Sequence, residues 1–229
     1  MQSTGLSAER TALRTPRAAA VAGIVFSILL IIVFVLLRIS VPGNPAVPGA
    51  WLSDSARRTA VTVALNLVPF AGIAFLWFIG VIRDRVGDRE DKFFGTVFLG
   101  SGLLFVALLF IAAAVAGGIL AGASAARPSG ASGAGSLVLG RNVTGLLLNV
   151  YAMRMAAVFS LSTVTIARKT PIVSRWLVLA GLVTALVLLI GTGISAWVEL
   201  LFPAWILALS VDILAAGPRA LSPVPAPHP

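Results

Sequence analysis

Long apolar runs alternate with short polar breaks along this chain, at the length of membrane spans. A spanning helix needs about 20 mostly apolar residues. The first run, Ala18 to Leu37, contains no charged residue. It exceeds the ~7–15 residues of a signal-peptide apolar region, so it reads as an uncleaved span. Residues 59–82 form a second run, broken only by Asn66 and Pro69. Residues 95–121 form a third, and residues 143–167, which include Arg154, a fourth. The stretch from Trp176 to Ala216 would measure roughly 60 Å as one helix, twice a bilayer core, so it must fold back. Trp197-Val-Glu-Leu-Leu-Phe-Pro203 supplies an interfacial Trp, a charge and a Pro for that turn.

The pattern therefore predicts an all-α, polytopic transmembrane helix bundle with six spans, at 18–40, 59–82, 95–121, 143–167, 176–196 and 200–216. Residues 1–17 read as a disordered tail and residues 217–229 as a Pro-rich one. The Ala/Ser/Gly-rich segment Gly122 to Gly140 reads as a flexible linker.

Composition agrees with the pattern. Hydrophobic residues make up 59% and charged residues 11%, against about 45–50% and about 25% in soluble globular chains. The net charge of +9 does not argue for a nucleic-acid partner, because the cations flank apolar runs instead of gathering on one soluble face. Their distribution sets the orientation. With the N-terminus inside, the inner segments hold Arg10, Arg14, Arg17, Arg83, Arg85, Arg89, Lys92, Arg168, Lys169, Arg175 and Arg219. The outer segments hold only Arg38, Arg57, Arg58, Arg127 and Arg141. Both tails are therefore expected to be cytoplasmic, with the lipid bilayer of a bacterial inner (plasma) membrane as solvent.

Candidate chemistry is sparse. The chain has no Cys, and its single His, His228, lies in the Pro-rich tail. Thiol chemistry, a thiolate metal site, a His-ligated zinc or haem and an intramembrane Ser–His pair are thereby excluded. No metal or other cofactor is expected. Arg154 is the sharpest feature, since a cation at the bilayer centre costs about 2.5–3.5 kcal/mol on insertion scales. Arg154 and Asp212 fall at matching depths in spans four and six, so they are expected to pair across the bundle. Tyr151, one turn from Arg154, stands ready to hold it. Asn66 and Asn149 match in depth too, and Pro69 frees the carbonyl of Leu65. These residues form the expected intramembrane polar site. Glu199 is placed at the outer interface. Four cations and four anions between Arg83 and Lys92 read as a self-paired loop or a docking surface.

Small residues at four-residue spacing mark close helix approach: Ala19, Gly23 and Ser27 in span one, and Ala113, Gly117 and Ala121 with Ala114, Gly118 and Gly122 in span three.

Four segments carry a resemblance: Asn66-Leu-Val-Pro-Phe70, the loop from Ile82 to Lys92, Tyr151-Ala-Met-Arg-Met155 and Lys169-Thr-Pro-Ile-Val-Ser-Arg-Trp176. They resemble segments of uncharacterised actinobacterial multi-pass integral membrane proteins. The resemblance implies a bacterial inner membrane and no particular activity.

The favoured class is a non-catalytic accessory, scaffold or assembly subunit, with other membrane subunits as partners. The alternative is a small-solute or ion transporter built on Arg154 and Asp212. An enzyme is the less favoured class. The cation asymmetry makes a direct prediction in a chain without native Cys. A Cys at Ser132 should react with an impermeant thiol reagent on intact cells, whereas a Cys at Ser3 or Ser222 should not. External labelling of either tail would reverse the topology.

Overall fold

The computed structural model describes residues 3–41, 50–86, 92–125, 130–168, 174–191 and 195–216. Among these there is no strand; the chain runs as six antiparallel helical rods. α1 spans Ser3–Ser40, α2 Ser55–Val86 and α3 Lys92–Ala125. The fourth rod is composite: α4 (Gly130–Gly145), a π-helical segment (Leu146–Ala152) and α5 (Met153–Ala167) follow without a break. α6 spans Arg175–Ile190 and α7 Leu201–Ala216. Each rod packs against its neighbour in sequence, and α7 returns to α1, so the rods form a closed ring. Six rods place both described chain ends at the same end of the bundle. Five of the helices are long and apolar enough to cross a membrane, and α6 is a shorter apolar helix.

Several boundaries differ from the expectation. The tail 1–17 is not irregular from Ser3 onward, because α1 continues back to that residue. Ala8, Glu9, Arg10, Ala12, Leu13 and Arg14 are good helix formers, whereas Pro16 within the same stretch removes a helical hydrogen bond. The linker Gly122 to Gly140 is mostly helical too, since α3 reaches Ala125 and α4 begins at Gly130. Packing overrides the Gly content here. A Cβ at Gly140 would lie 2.6 Å from Ile119 Cδ1 of α3, so the missing side chain seats α4 on α3. Span five is shorter than expected. α6 ends at Gly191, whose N–H donates to the Val187 carbonyl at 2.6 Å. A 3₁₀ turn at Ala196–Leu200, which includes Trp197, leads into α7. Pro203 does not make the turn; it sits in the first turn of α7, where its missing N–H leaves no bond unmade. The loop from Arg83 is helical as far as Val86. Its remainder to Asp91, and the tail 217–229 with His228, lie outside the described residues.

The interior is aromatic. Phe26, Phe75, Phe78, Phe98, Phe105, Phe159 and Phe202 are fully or almost fully buried. Phe75 of α2 is the hub, with ring centroids 4.4 Å from Phe26, 5.0 Å from Phe159, 5.4 Å from Phe105 and 5.8 Å from Phe202. Those rings belong to α1, α5, α3 and α7, so one cluster joins five rods. Most of the pairs are tilted or edge-on, the arrangement favoured by ring quadrupoles.

Small residues bring the backbones together around this cluster. Ala19 and Ser27 are buried, and Gly23 packs directly against Ser210 of α7 and Phe78 of α2. The expectation for span three is corrected. Ala113 is half-buried, Gly118 has nothing within 4 Å, and Gly117 meets only Leu65 Cδ1, at 4.0 Å. The close approaches of α3 and α6 fall at Gly102, against Ile79 and Phe159, and at Gly181, against Trp205 and Val164. Four-residue spacing identifies a stripe of small residues but not which stripe faces inward. Gly181→Val should therefore lower unfolding stability in detergent by about 1–3 kcal/mol through overpacking. Gly118→Val should stay within about 0.5 kcal/mol of the parent. Equal losses at the two positions would contradict this packing.

Candidate functional site

The polar residues expected to form one intramembrane site are separated. Asp212 does not meet Arg154. Its carboxylate accepts the Ser174 N–H at 3.2 Å and the Ser174 hydroxyl at 3.0 Å. Ser174 is the N-cap of α6, so the negative charge sits at the positive end of that helix, a favourable placement. α6 and α7 are further tied by the Trp205 indole, which donates to the Leu177 carbonyl at 3.1 Å. Asp212 and Arg154 differ in depth: Asp212 lies in the last turns of α7, beside the α6 N-terminus, whereas Arg154 lies at the opposite end of α5 from Ala167.

Arg154 lies on the outer surface of the bundle. Among the described residues no ion pair or hydrogen bond reaches its guanidinium. Tyr151 does not hold it in the interior; it is 53% exposed, on the bundle surface. Asn66 also points outward and donates to the Thr62 carbonyl of its own helix at 2.9 Å. It lines a shallow groove between α2 and α3 with Thr62, Gly117 and Ala121.

A different polar centre exists at the end of the bundle opposite the chain ends. Arg38, near the end of α1, donates through one Nη to Glu199 Oε1 at 2.6 Å and to Asn149 Oδ1 at 3.0 Å. Glu199 comes from the 3₁₀ turn before α7, and Asn149 from the π-helical segment of the fourth rod. A single arginine thus joins three rods. The Glu199 side chain is only 6% exposed and that of Arg38 28%, so Glu199 lies at the expected end of the bundle but is shielded from solvent. Burial leaves Glu199 few water partners, so the ion pair is what makes its charge tolerable there. The π-helical turn has a local role in this arrangement. A π turn inserts an extra residue per turn and re-aims its side chains, and such turns recur at functional sites. No periodicity in Leu-Leu-Leu-Asn-Val-Tyr-Ala announces it.

This polar centre borders a cavity of about 490 Å³. Its walls are mainly apolar, with Val33 and Leu37 of α1, Val61 and Leu65 of α2, and Leu109 and Ala116 of α3 among the lining residues. Polar groups are confined to Arg38, Glu199 and four residues of the fourth rod: Arg141, Asn142, Thr144 and Asn149. The Thr144 hydroxyl is buried without a hydrogen-bond partner. In each rod the lining residues lie to one side of the aromatic cluster. On α1 they begin at Val33, beyond Phe26, and on α3 at Leu109, beyond Phe105. The cavity therefore occupies one end of the bundle, and packed Phe rings fill the interior past it. Its size falls within the roughly 300–1,000 Å³ of small-molecule sites, which are likewise mostly apolar with a few placed polar groups. Among the described residues no group of three or more His, Cys, Asp and Glu side chains could hold a metal ion.

No family model, curated protein or solved structure matches the chain.

Sequence reasoning missed Arg38 and Glu199 as partners. A signal was present: in a six-span topology the end of span one and the start of span six lie at the same end, and each carries one charge of opposite sign. Removing one member of this pair should be costly. Glu199→Leu should lose about 3 kcal/mol, near the low end for a buried pair because Arg38 is partly exposed. Combining it with Arg38→Met should recover part of that loss. Thermal unfolding of the four proteins in one detergent measures the coupling, and strictly additive losses would show that the contact contributes nothing.

Proposed function

We propose that this integral membrane protein is a non-catalytic accessory or assembly subunit, seated in a bacterial inner membrane beside a larger partner. The observation that carries the proposal is the outward Arg154. It follows the π-helical segment, in the second residue of α5, and Ala167 lies about 20 Å further along the helix axis. A lone cation facing hydrocarbon is costly, and such residues in known membrane proteins pair or face a protein interior. A neighbouring subunit that supplies a carboxylate would turn this cost into a contact. A second copy of the chain fits poorly in that role. Asp212 is engaged by Ser174, Glu199 by Arg38 and Asp54 by Arg57 at 3.2 Å, and Glu9 and Asp84 fall outside the apolar spans Arg17–Ser40 and Ser55–Arg83. The partner is therefore a different membrane protein, with an Asp or Glu in one of its spans.

The transporter reading has less support. It needed Arg154, Asp212, Asn66 and Asn149 around one solute, and these residues occupy four separate surroundings. The bundle interior that a solute would cross is filled by Phe75 and its neighbours.

The proposal separates stability from assembly. Arg154→Leu should leave the unfolding midpoint of the purified chain unchanged, because no interaction among the described residues is lost. The same substitution should abolish co-purification of the partner from native membranes, and Arg154→Lys should retain part of it. A partner captured equally by Arg154→Leu, or a sharply destabilised variant, would rule the reading out.

A further inference from the structure

We infer that the cavity beside Arg38 binds an uncharged, membrane-dissolved carbonyl compound, held by hydrogen bonds from Thr144 and Asn149. The site does not depend on Arg154 or on a partner subunit. The observation that carries it is the state of the Thr144 hydroxyl. Thr59, Thr62, Thr163 and Thr165 each donate to the carbonyl four residues back in their own helix. Thr144 does not; its Oγ1 is buried on the cavity wall without a hydrogen-bond partner. Buried hydroxyls nearly always find one. Asn149 lines the same cavity. Its Oδ1 accepts from Arg38, and among the described residues no acceptor reaches its Nδ2 hydrogens. Two unused donors thus border one cavity, and their complement is an acceptor oxygen with two lone pairs. A hydroxyl oxygen accepts too, but brings a proton that needs an acceptor of its own; a carbonyl brings none.

No free charge recruits the ligand. Arg38 and Glu199 neutralise each other, and Arg141 is already engaged. An uncharged molecule enters such a site without giving up the hydration of an ion. It also has a way in from the bilayer. Val138 of α4 lines the cavity and is 41% exposed, and α4 packs on α3 and the π-helical segment with no comparable contact to α1. That side of the cavity reaches the bundle surface, so a molecule dissolved in lipid enters without crossing the Phe cluster. Selectivity comes from the oxygen. Lipid solvates an apolar body as well as Leu and Val side chains do, so the walls admit the ligand without favouring it over the bilayer. Two neutral hydrogen bonds made where lipid offers none favour a carbonyl compound over a hydrocarbon of equal length on the order of tenfold.

Trp51 lines the cavity and supplies an optical probe. The full chain would be placed in nanodiscs of dialkyl phosphatidylcholine, whose ether linkages lack carbonyls. It would be titrated with three chain-brominated compounds of equal length: a fatty acid methyl ester, an alkyl benzoquinone and an alkane. The expected result is saturable quenching by at least one carbonyl compound, with the saturable component absent in Trp51→Phe. Its half-saturation should lie about tenfold below that of the alkane. The carbonyl arm that saturates identifies the ligand as ester, quinone or both. Unbrominated competitor should reverse the quenching in the unaltered chain, a measurement that needs no variant. Thr144→Val, which keeps the side-chain shape and loses no existing hydrogen bond, should keep the unfolding midpoint and bring carbonyl compound and alkane together. Quenching that rises with bilayer mole fraction without saturating, equal half-saturation for all three compounds in the unaltered chain, or undiminished discrimination in Thr144→Val would overturn the assignment.

Discussion

Lipid gives a helix no hydrophobic reason to leave it, so rods in a bilayer associate only where surfaces fit closely and polar groups find partners. In this protein the fit is made by aromatic rings meeting small residues. Phe75 touches rings from four other rods, while Gly23, Gly102 and Gly181 let backbones approach the side chains that fill the gaps. Everything else in the bundle is placed relative to that cluster. The cavity begins where the rings stop, and the Arg38–Glu199–Asn149 contact closes the same end.

Polar groups are used economically. Hydroxyls of Ser101, Ser160, Ser162, Thr163 and Thr165 return to carbonyls within their own helices, so each helix enters lipid with few unmet donors. Other polar contacts join different rods, the Trp205 indole on the Leu177 carbonyl among them. Asp212 at the N-cap of α6 fixes the α6–α7 pair at one end of the bundle, and Arg38 fixes α1, the π-helical turn and α7 at the other. Polar contacts at both ends and aromatics between them give a stiff barrel of helices.

The sequence by itself determined the solvent, the number of rods and their alternation. Apolar runs of span length fit a lipid environment, and the absence of Cys and of any intramembrane His removes thiol chemistry and His-based catalysis or metal ligation within the spans. The small residues Ala19, Gly23 and Ser27 were also legible as a contact face. These properties depend on composition and on periodicity within one helix, which are local. What only the tertiary structure decided was the azimuth of each rod and the partner of each charge. Counted along their spans, Arg154 and Asp212 fall at the same depth, yet Asp212 sits at one end of the bundle on Ser174 and Arg154 lies roughly 20 Å from that end of its helix, facing outward. Arg38 and Glu199, which looked like two unrelated interfacial charges, meet because α7 closes the ring on α1. A one-dimensional pattern carries order along an axis; depth in the bundle and rotation about that axis are set by packing against neighbours distant in sequence, and in an apolar span almost every face is greasy enough to face lipid or protein.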